Sequence, residues 1–477
     1  MTNRTTSDTM FREQVPLPPT GLGKLKWYGP GLLWMLSAVG TGSILFTPRV
    51  ASAYQYDLLW VLLLVVFFMW VMIREMARFS VVTGQSMLEG MHTLSGPRNW
   101  AVWTIFVPQL CAAMVGIAGL SAIVGSALGS ALPGSNTVYS VLIVVTCTAF
   151  TASGHYMKIE RLSRIMAMIL MLLAVVAAAV VFSDVQGVTD GLVPTVPADP
   201  DLYIILPWVG TILAGSMGIV WFGYWTATRG YGGGLIAEQS ASDHVNAEPQ
   251  ASEARVQRLR AWLGVMTGAA TLGVLGGLAV IFSFMVLGAE LLSPAGVMPE
   301  GSDVAKDLSR LFSETWGVAG EIMMLAAIII ALGGSILANQ DGWGRSFADM
   351  TLILLRGGQQ SAKQVLAVRM LAWCQQRTRL PMFKRRSLKR LFIVVVTGLL
   401  PVLIILAFDN PVQIMSASGI IAAVHTPFIV LAALFVNCTR LPQALRPGLF
   451  YAMAMLASGL FYLGFAALYF LQLAGYV

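Results

Sequence analysis

Val39-Gly40-Thr41-Gly42-Ser43-Ile44-Leu45 and Leu213-Ala214-Gly215-Ser216-Met217-Gly218-Ile219 each place glycines near the middle of a long hydrophobic stretch. A membrane helix broken at its centre frees backbone groups that hydrocarbon cannot satisfy. Such breaks persist where they line a protein-enclosed cavity or bind a solute. Unwound backbone offers carbonyl oxygens to cations, and half-helix N-termini offer positive dipole ends to anions, near the bilayer midplane. Two breaks at corresponding places in two halves therefore predict binding and translocation across a membrane.

The rest of the 477-residue chain agrees, because 57% of it is hydrophobic and 11% charged, with a mean hydropathy of +0.74. That is far too apolar for a soluble globular protein. Runs of about 20 apolar residues, each able to cross a core of about 30 Å, recur to the end, and about eleven are expected. They cover 29–54, 57–78, 99–130, 137–154, 162–183, 203–228, 259–289, 317–340, 391–408, 412–437 and 447–473. The expected fold class is all-α integral membrane: a five-plus-five inverted repeat, 29–183 and 203–437, with spans one and six unwound and one extra C-terminal helix, 447–473. A polar tail, 1–28, precedes them, and two long connections fall at 229–258 and 341–390.

Charge gives the orientation. The connections carrying Arg74 and Arg78; Lys158, Arg161 and Arg164; Arg255, Arg258 and Arg260; and Lys384-Arg385-Arg386 with Lys389-Arg390 alternate with connections nearly free of Lys and Arg. Residues 184–201 hold four aspartates and no basic residue. The positive-inside rule then puts the N-terminus in the cytoplasm and the C-terminus outside, in a plasma (inner) membrane. Connection 290–316 is the weakest fit, with Lys306 and Arg310 among five acidic residues. The net charge of +7 reads as topology and contact with membrane lipids, not as a nucleic-acid surface.

No cofactor is expected. Cys111, Cys147, Cys374 and Cys438 lie far apart and suggest neither a disulfide framework nor a zinc site. The run Arg229-Gly230-Tyr231-Gly232-Gly233-Gly234 has no preceding strand and no following Lys-Ser or Lys-Thr, so it reads as a loop and not a phosphate cradle. Residues 360–378 set Val365, Val368, Leu371 and Trp373 among Lys363, Arg369 and Arg377, the pattern of an interfacial helix.

Several short stretches carry a family likeness: Gly29-Pro30-Gly31 opening the first span, Asp57-Leu58-Leu59-Trp60-Val61-Leu62-Leu63 opening the second, Val81-Val82-Thr83-Gly84-Gln85-Ser86-Met87-Leu88-Glu89, and Thr426-Pro427-Phe428 in span ten. Together they resemble the NRAMP family of metal transporters over most of residues 25–440. The resemblance implies the amino acid/polyamine/organocation superfamily fold, LeuT-like, in which spans one and six unwind around a central site and transport follows from bundle rocking. It also implies a metal site that this chain lacks. Where the family has Asp-Pro-Gly-Asn, the chain reads Gly40-Thr41-Gly42-Ser43, and the family's Met-Pro-His of span six aligns with Ile219-Val220-Trp221. The acidic residues of the family's span three have no counterpart between Leu110 and Leu132. A divalent ion shedding its water needs hard oxygen ligands and generally a carboxylate, so the metal ligands are unknown; Met217 is the nearest thioether.

The substrate-binding candidates are Gly40, Thr41, Gly42, Ser43, Gln109, Gly215, Ser216, Met217, Gly218 and Trp221. The hydroxyls of Thr41, Ser43 and Ser216 either contact substrate or cap half-helix ends. Trp221 and Tyr224 either wall a pocket or pack in the bundle. Gln109, buried in span three, must pair with substrate or with a helix. Coupling-ion or gating candidates are Arg49, Asn339, Asp341 and His425. Arg49 lies about 9 Å beyond Ser43 and either attracts anions or snorkels. Asp341 reads as a solvated cap at the inner edge, and His425 as a hydrogen-bonded packing histidine, with proton relay as its rival.

No catalytic residues are expected, since no His-Glu-x-x-His pair, acidic dyad or Ser nucleophile with a base is present. The reading is a secondary transporter for a small organic or anionic solute. Its rivals are a Mn or Mg type of divalent metal transporter with replaced ligands, and a non-transporting sensor. Partners are the small-molecule or ion substrate and membrane lipids; the oligomeric state is left open.

Overall fold

The computed structural model describes residues 15–37, 40–97, 99–154, 157–233, 253–355 and 384–475, with 373 and 377. Those residues form helices and connections without a strand. In chain order the main helices are α1 (Gly29–Ser37), α2 (Thr47–Tyr54), α3 (Leu59–Thr83), α4 (Trp100–Ala131), α5 (Asn136–Ser153), α6 (Met157–Val181), α7 (Leu202–Thr211), α8 (Ser216–Arg229), α9 (Glu253–Leu287), α10 (Val304–Ala327), α11 (Gly333–Leu355), α12 (Arg385–Val394), α13 (Leu400–Ala407), α14 (Pro411–Arg440) and α15 (Leu449–Leu473). Among the described residues, ten helical stretches are long and apolar enough to cross a membrane. The protein is a multi-pass membrane protein of all-α class.

The first hydrophobic stretch is not among the ten because it is divided. Helix α1 stops before 38–39, which lie outside the described residues, and the chain resumes through a π-helical turn, Gly42–Phe46, into α2. The sixth is divided at Ile212–Gly215, with Leu213 at φ 65°. This corrects the expected position. Gly215 is the N-cap of α8, and Ser216, Met217 and Gly218 form its first turn, closed by the Gly218 N–H on the Gly215 carbonyl at 2.8 Å. The register on Ile219-Val220-Trp221 likewise falls inside α8, beyond the interruption.

Other boundaries move for identifiable reasons. Helix α11 runs on to Leu355, so the connection expected at 341–390 begins later, and Asp341 is mid-helix and buried. It is not a solvated cap. The expected interfacial helix at 360–378 lies outside the described residues, apart from 373 and 377. Connection 290–316 contains the first half of α10, whose Leu308 and Phe312 are buried and which bends at Gly317, φ 60°. The tail is docked over 15–27: Trp262 Nε1 donates to the Pro16 carbonyl at 2.8 Å, and a 3-10 helix spans Gly21–Trp27.

Helix α14 is the spine, packing against α4, α7 and α15, while α1 lies on α9, α8 on α3, and α11 on α12. Arg74 and Arg78, expected at an inner connection, are buried within α3 on either side of the fully buried Glu75. Arg78 Nε donates to Glu75 Oε2 at 2.6 Å, and Arg74 pairs with the other oxygen. Arg74 also donates to Thr267 of α9 at 3.0 Å and lies 3.5 Å over the Tyr451 ring of α15. Asn437 of α14 donates to the Glu75 carbonyl at 2.8 Å. The Glu75 carboxylate therefore anchors Arg74, which ties α3 to α9 and α15, while the Glu75 main-chain carbonyl ties α3 to α14. Glu75→Ala leaves two buried guanidiniums without their counter-charge, and a loss of about 3–5 kcal/mol is expected. A thermal unfolding midpoint in detergent checks this, with Asp190→Ala on an exposed connection as the near-neutral control.

Candidate functional site

Both interruptions open into one cavity of about 470 Å³, walled by α1, α4, α8, α11 and α14. Thr211 and Leu213–Gly218 line it on one side, Gly40–Gly42 on another. The two strands of backbone touch. A Cβ added to Gly42 would fall on the Thr211 carbonyl, so only glycine allows this approach. Beside each break a threonine hydroxyl adds a hydrogen bond to a helix carbonyl: Thr47 Oγ1 donates to the Gly42 carbonyl, which also takes the Thr47 N–H, at 2.6 Å, and Thr211 Oγ1 donates to the Pro207 carbonyl at 2.8 Å.

Gln109 of α4 is the polar node behind the cavity. Its Nε2 donates to Ser216 Oγ at 2.6 Å and to His425 Nδ1 at 3.0 Å, and its Oε1 accepts from Trp343 Nε1 at 3.4 Å. His425 Nε2 donates to the Thr104 carbonyl at 3.0 Å. Both ring nitrogens are thus engaged with the ring proton on Nε2, the arrangement of a packing histidine. Of the sequence candidates, the structure brings Gly40, Thr41, Gly42, Gln109, Gly215, Ser216, Met217, Gly218, Trp221, Asn339 and Asp341 to the lining. Ser43 and His425 are buried outside it.

Arg49 is also away from the cavity, 8% exposed and 3.5 Å from Glu300. It belongs to a closed layer above the interruptions. There Trp208 Nε1 donates to Thr47 Oγ1 at 3.0 Å, Ser52 Oγ to the Val297 carbonyl at 2.7 Å, and Tyr56 to Glu290 at 3.0 Å. Burial, then the Glu290 carboxylate, pushes the Tyr56 hydroxyl above its ordinary range, so it stays a donor. On the other side the lining continues to Arg164, Tyr224, Arg345 and Asp349. Among the described residues the lining thus extends toward the ends that carry the basic connections.

That mouth was not legible as a site. Asp341 pairs with both Lys389 and Arg345, and Asp349 takes Arg385 at 2.5 and 2.7 Å. Arg385 also donates to Tyr224 at 3.0 Å. Trp343, Arg345 and Asp349 were assigned to a connection because hydropathy falls after residue 340. The available signal was helical spacing: Asp341, Arg345 and Asp349 stand four apart, as do Arg385 and Lys389. Among the described residues, no group of three His, Cys, Asp or Glu side chains is placed to hold a metal.

The family model described as natural resistance-associated macrophage protein-like (Nramp) matches residues 31–343. A crystal structure of a mutant manganese transporter from Eremococcus coleocola superposes with a TM-score of 0.67 at 12% identity, covering 94% of this chain and 87% of that one. The same transporter in complex with an aromatic bis-isothiourea substituted compound gives 0.65 at 12% identity, covering 93% and 88%. MhsT in complex with L-phenylalanine gives 0.51 at 15% identity, covering 96% and 99%. Curated protein sequences give no match. At these identities the structures speak for the fold.

The glycine contact gives a paired prediction. Gly42→Ala forces its methyl onto the Thr211 carbonyl, with an expected cost of about 1–3 kcal/mol and loss of solute uptake. Gly215→Ala meets nothing closer than Ala422 Cβ at 3.8 Å and sacrifices only the N-cap preference of glycine, about 0.5–1 kcal/mol. Monodisperse yield and proteoliposome uptake, measured side by side, separate the two.

Proposed function

The chain belongs to the Nramp family, and from that premise we propose that it is a secondary active transporter of a small organic or anionic solute, working by alternating access. Membership in a transporter family makes it a membrane transporter and not an enzyme. The carrying observation is the lining: among the described residues its carboxylates are Asp341 and Asp349, and both are engaged by cations. A divalent ion stripped of water would meet hydroxyls, the thioethers of Met87, Met217 and Met415, and backbone carbonyls, with both described carboxylates already paired, a costly exchange. A solute with its own polar groups can use the same donors, and the cavity has the size of a small-molecule site.

In this reading a helix bundle drawn from the repeats 29–183 and 203–437 rocks about the site between the interruptions. The charge asymmetry of the connections supports an N-terminus in the cytoplasm and a C-terminus outside. The open side then faces the cytoplasm, and the layer of Arg49, Glu300 and Trp208 is the closed outer gate. The second reading, divalent metal transport, is favoured by the manganese transporters of like fold; Met217 and the carbonyls of the interruptions would be its ligands.

The deciding experiment is time-resolved uptake into proteoliposomes of Mn(II), Mg(II) and a panel of small carboxylates, with and without proton or sodium gradients. Saturable, gradient-dependent uptake of a carboxylate with Mn(II) no faster than empty vesicles is the expected result. Saturable uptake of Mn(II) alone overturns it in favour of the metal reading, and silence throughout in favour of a sensor.

A further inference from the structure

Resting on the organic-solute reading, we propose that the cavity takes an organic anion with a flat aromatic body, the body packed on the Trp221–Trp343 wall and the anionic group held by Arg345. The three residues reach the cavity from two elements, α8 and α11.

The wall is built in advance. Trp221 Nε1 donates to Ser346 Oγ at 3.0 Å, and its ring lies against Gly342, where an added Cβ would approach the ring to 2.8 Å. Trp343 Nε1 donates to Gln109. The two rings meet edge to face, centroids 5.9 Å apart. Both indole N–H groups are therefore spent on the protein, and what is left for a solute is fixed aromatic surface. Rings locked this way lose little freedom on binding and favour a planar, apolar partner. The cavity of about 470 Å³ is far larger than one ion needs.

Charge selects the sign. Around the mouth, Asp341 and Asp349 face Arg345, Arg385 and Lys389, and Arg164 adds a further cation to the lining. Asp349 is bound through both oxygens by Arg385, and Asp341 holds Lys389. Arg345 is the surplus cation: Asp341, already neutralised by Lys389, is its partner among the described residues, and its side chain is 40% exposed within the lining. A guanidinium pairs with a carboxylate through two parallel donors, and does so best where water is partly excluded. An organic cation would instead have to displace Lys389 or Arg385 from its carboxylate.

The test is titration calorimetry on the full-length protein in detergent with a matched set: indole-3-acetate, its neutral amide, tryptamine, acetate and MnCl2. Indole-3-acetate should bind saturably, and the amide, tryptamine and acetate each about tenfold or more weakly. Arg345→Gln should lower the affinity for indole-3-acetate about tenfold, to that of the amide, and leave the amide unchanged. Arg345→Lys should recover part of it. Trp221→Leu should weaken the acid and the amide together. Preferential binding of tryptamine, or an Arg345→Gln protein that holds the acid as the wild type does, overturns the proposal. An Arg345→Gln protein that no longer binds the amide has lost the cavity itself, and the wild-type ranking then decides alone. Uptake of a ring-free carboxylate with no binding of indole-3-acetate sinks this inference but keeps the transport reading. Binding and uptake of Mn(II) alone sinks both.

Discussion

Peptide groups inside a hydrocarbon layer must be hydrogen-bonded, and everything particular to this protein follows from the two places where the helix cannot do it. At Ile212–Gly215 and before Gly42 the regular ladder stops, and beside each break a threonine hydroxyl adds a bond to a helix carbonyl: Thr47 to that of Gly42, Thr211 to that of Pro207. Because Thr47 also accepts the Trp208 indole proton at 3.0 Å, the chain after the first break is tied to the helix before the second. The two interruptions are thereby one unit, closed by the glycine contact between Gly42 and Thr211. On the far side Gln109 bonds Ser216 in the first turn of α8.

The same unit lies between two differently built sides. Above it, polar groups are paired into a continuous layer, from Arg49 with Glu300 to Tyr56 with Glu290. Below it, α8 and α11 meet through Trp221 on Trp343 and Gly342, and their ends at the mouth are held by charge. The bridge of Arg385 to both Asp349 and Tyr224 joins α12, α11 and α8 at the mouth. Ion pairs at a wet mouth are exchanged at little cost compared with packed apolar contacts, so this is the side at which rearrangement is cheap.

How much of this could be read from the chain differs by the kind of signal. The breaks were legible because glycine in an apolar run has few other uses, and the multi-pass membrane class because runs of about twenty apolar residues recur along the chain. The register of the second break was not, since Gly215 and Gly218 look alike in sequence while one caps α8 and the other lies inside its first turn. The end of span eight was lost for a physical reason. Asp341, Arg345 and Asp349 lower the hydropathy, yet they remain in the helix because Lys389 and Arg385 neutralise them from α12. Partners close in space and 36 to 48 residues apart in sequence leave no local trace. Arg49 failed in the opposite way, being placed correctly along its helix but turned to Glu300 and not to the cavity.

The choice of solute turns on the accounting of charge inside a low-dielectric space. Two carboxylates reach the lining, and a reading of residue types alone would count them as ligands for a cation. Their pairing reverses that inference, because a carboxylate already neutralised by lysine or arginine offers a second cation little attraction, and stripping the buried Asp341 of its cations would leave an uncompensated buried charge. Ser216, Gln109 and Ser346 of the lining are each hydrogen-bonded within the protein. The lining adds the fixed aromatic surface of Trp221 and Trp343 and the guanidinium of Arg345, which shares Asp341 with Lys389. A solute gains most from groups a site has not fully committed to itself, and in the proposed reading these are ring faces and a cation whose counter-charge is shared.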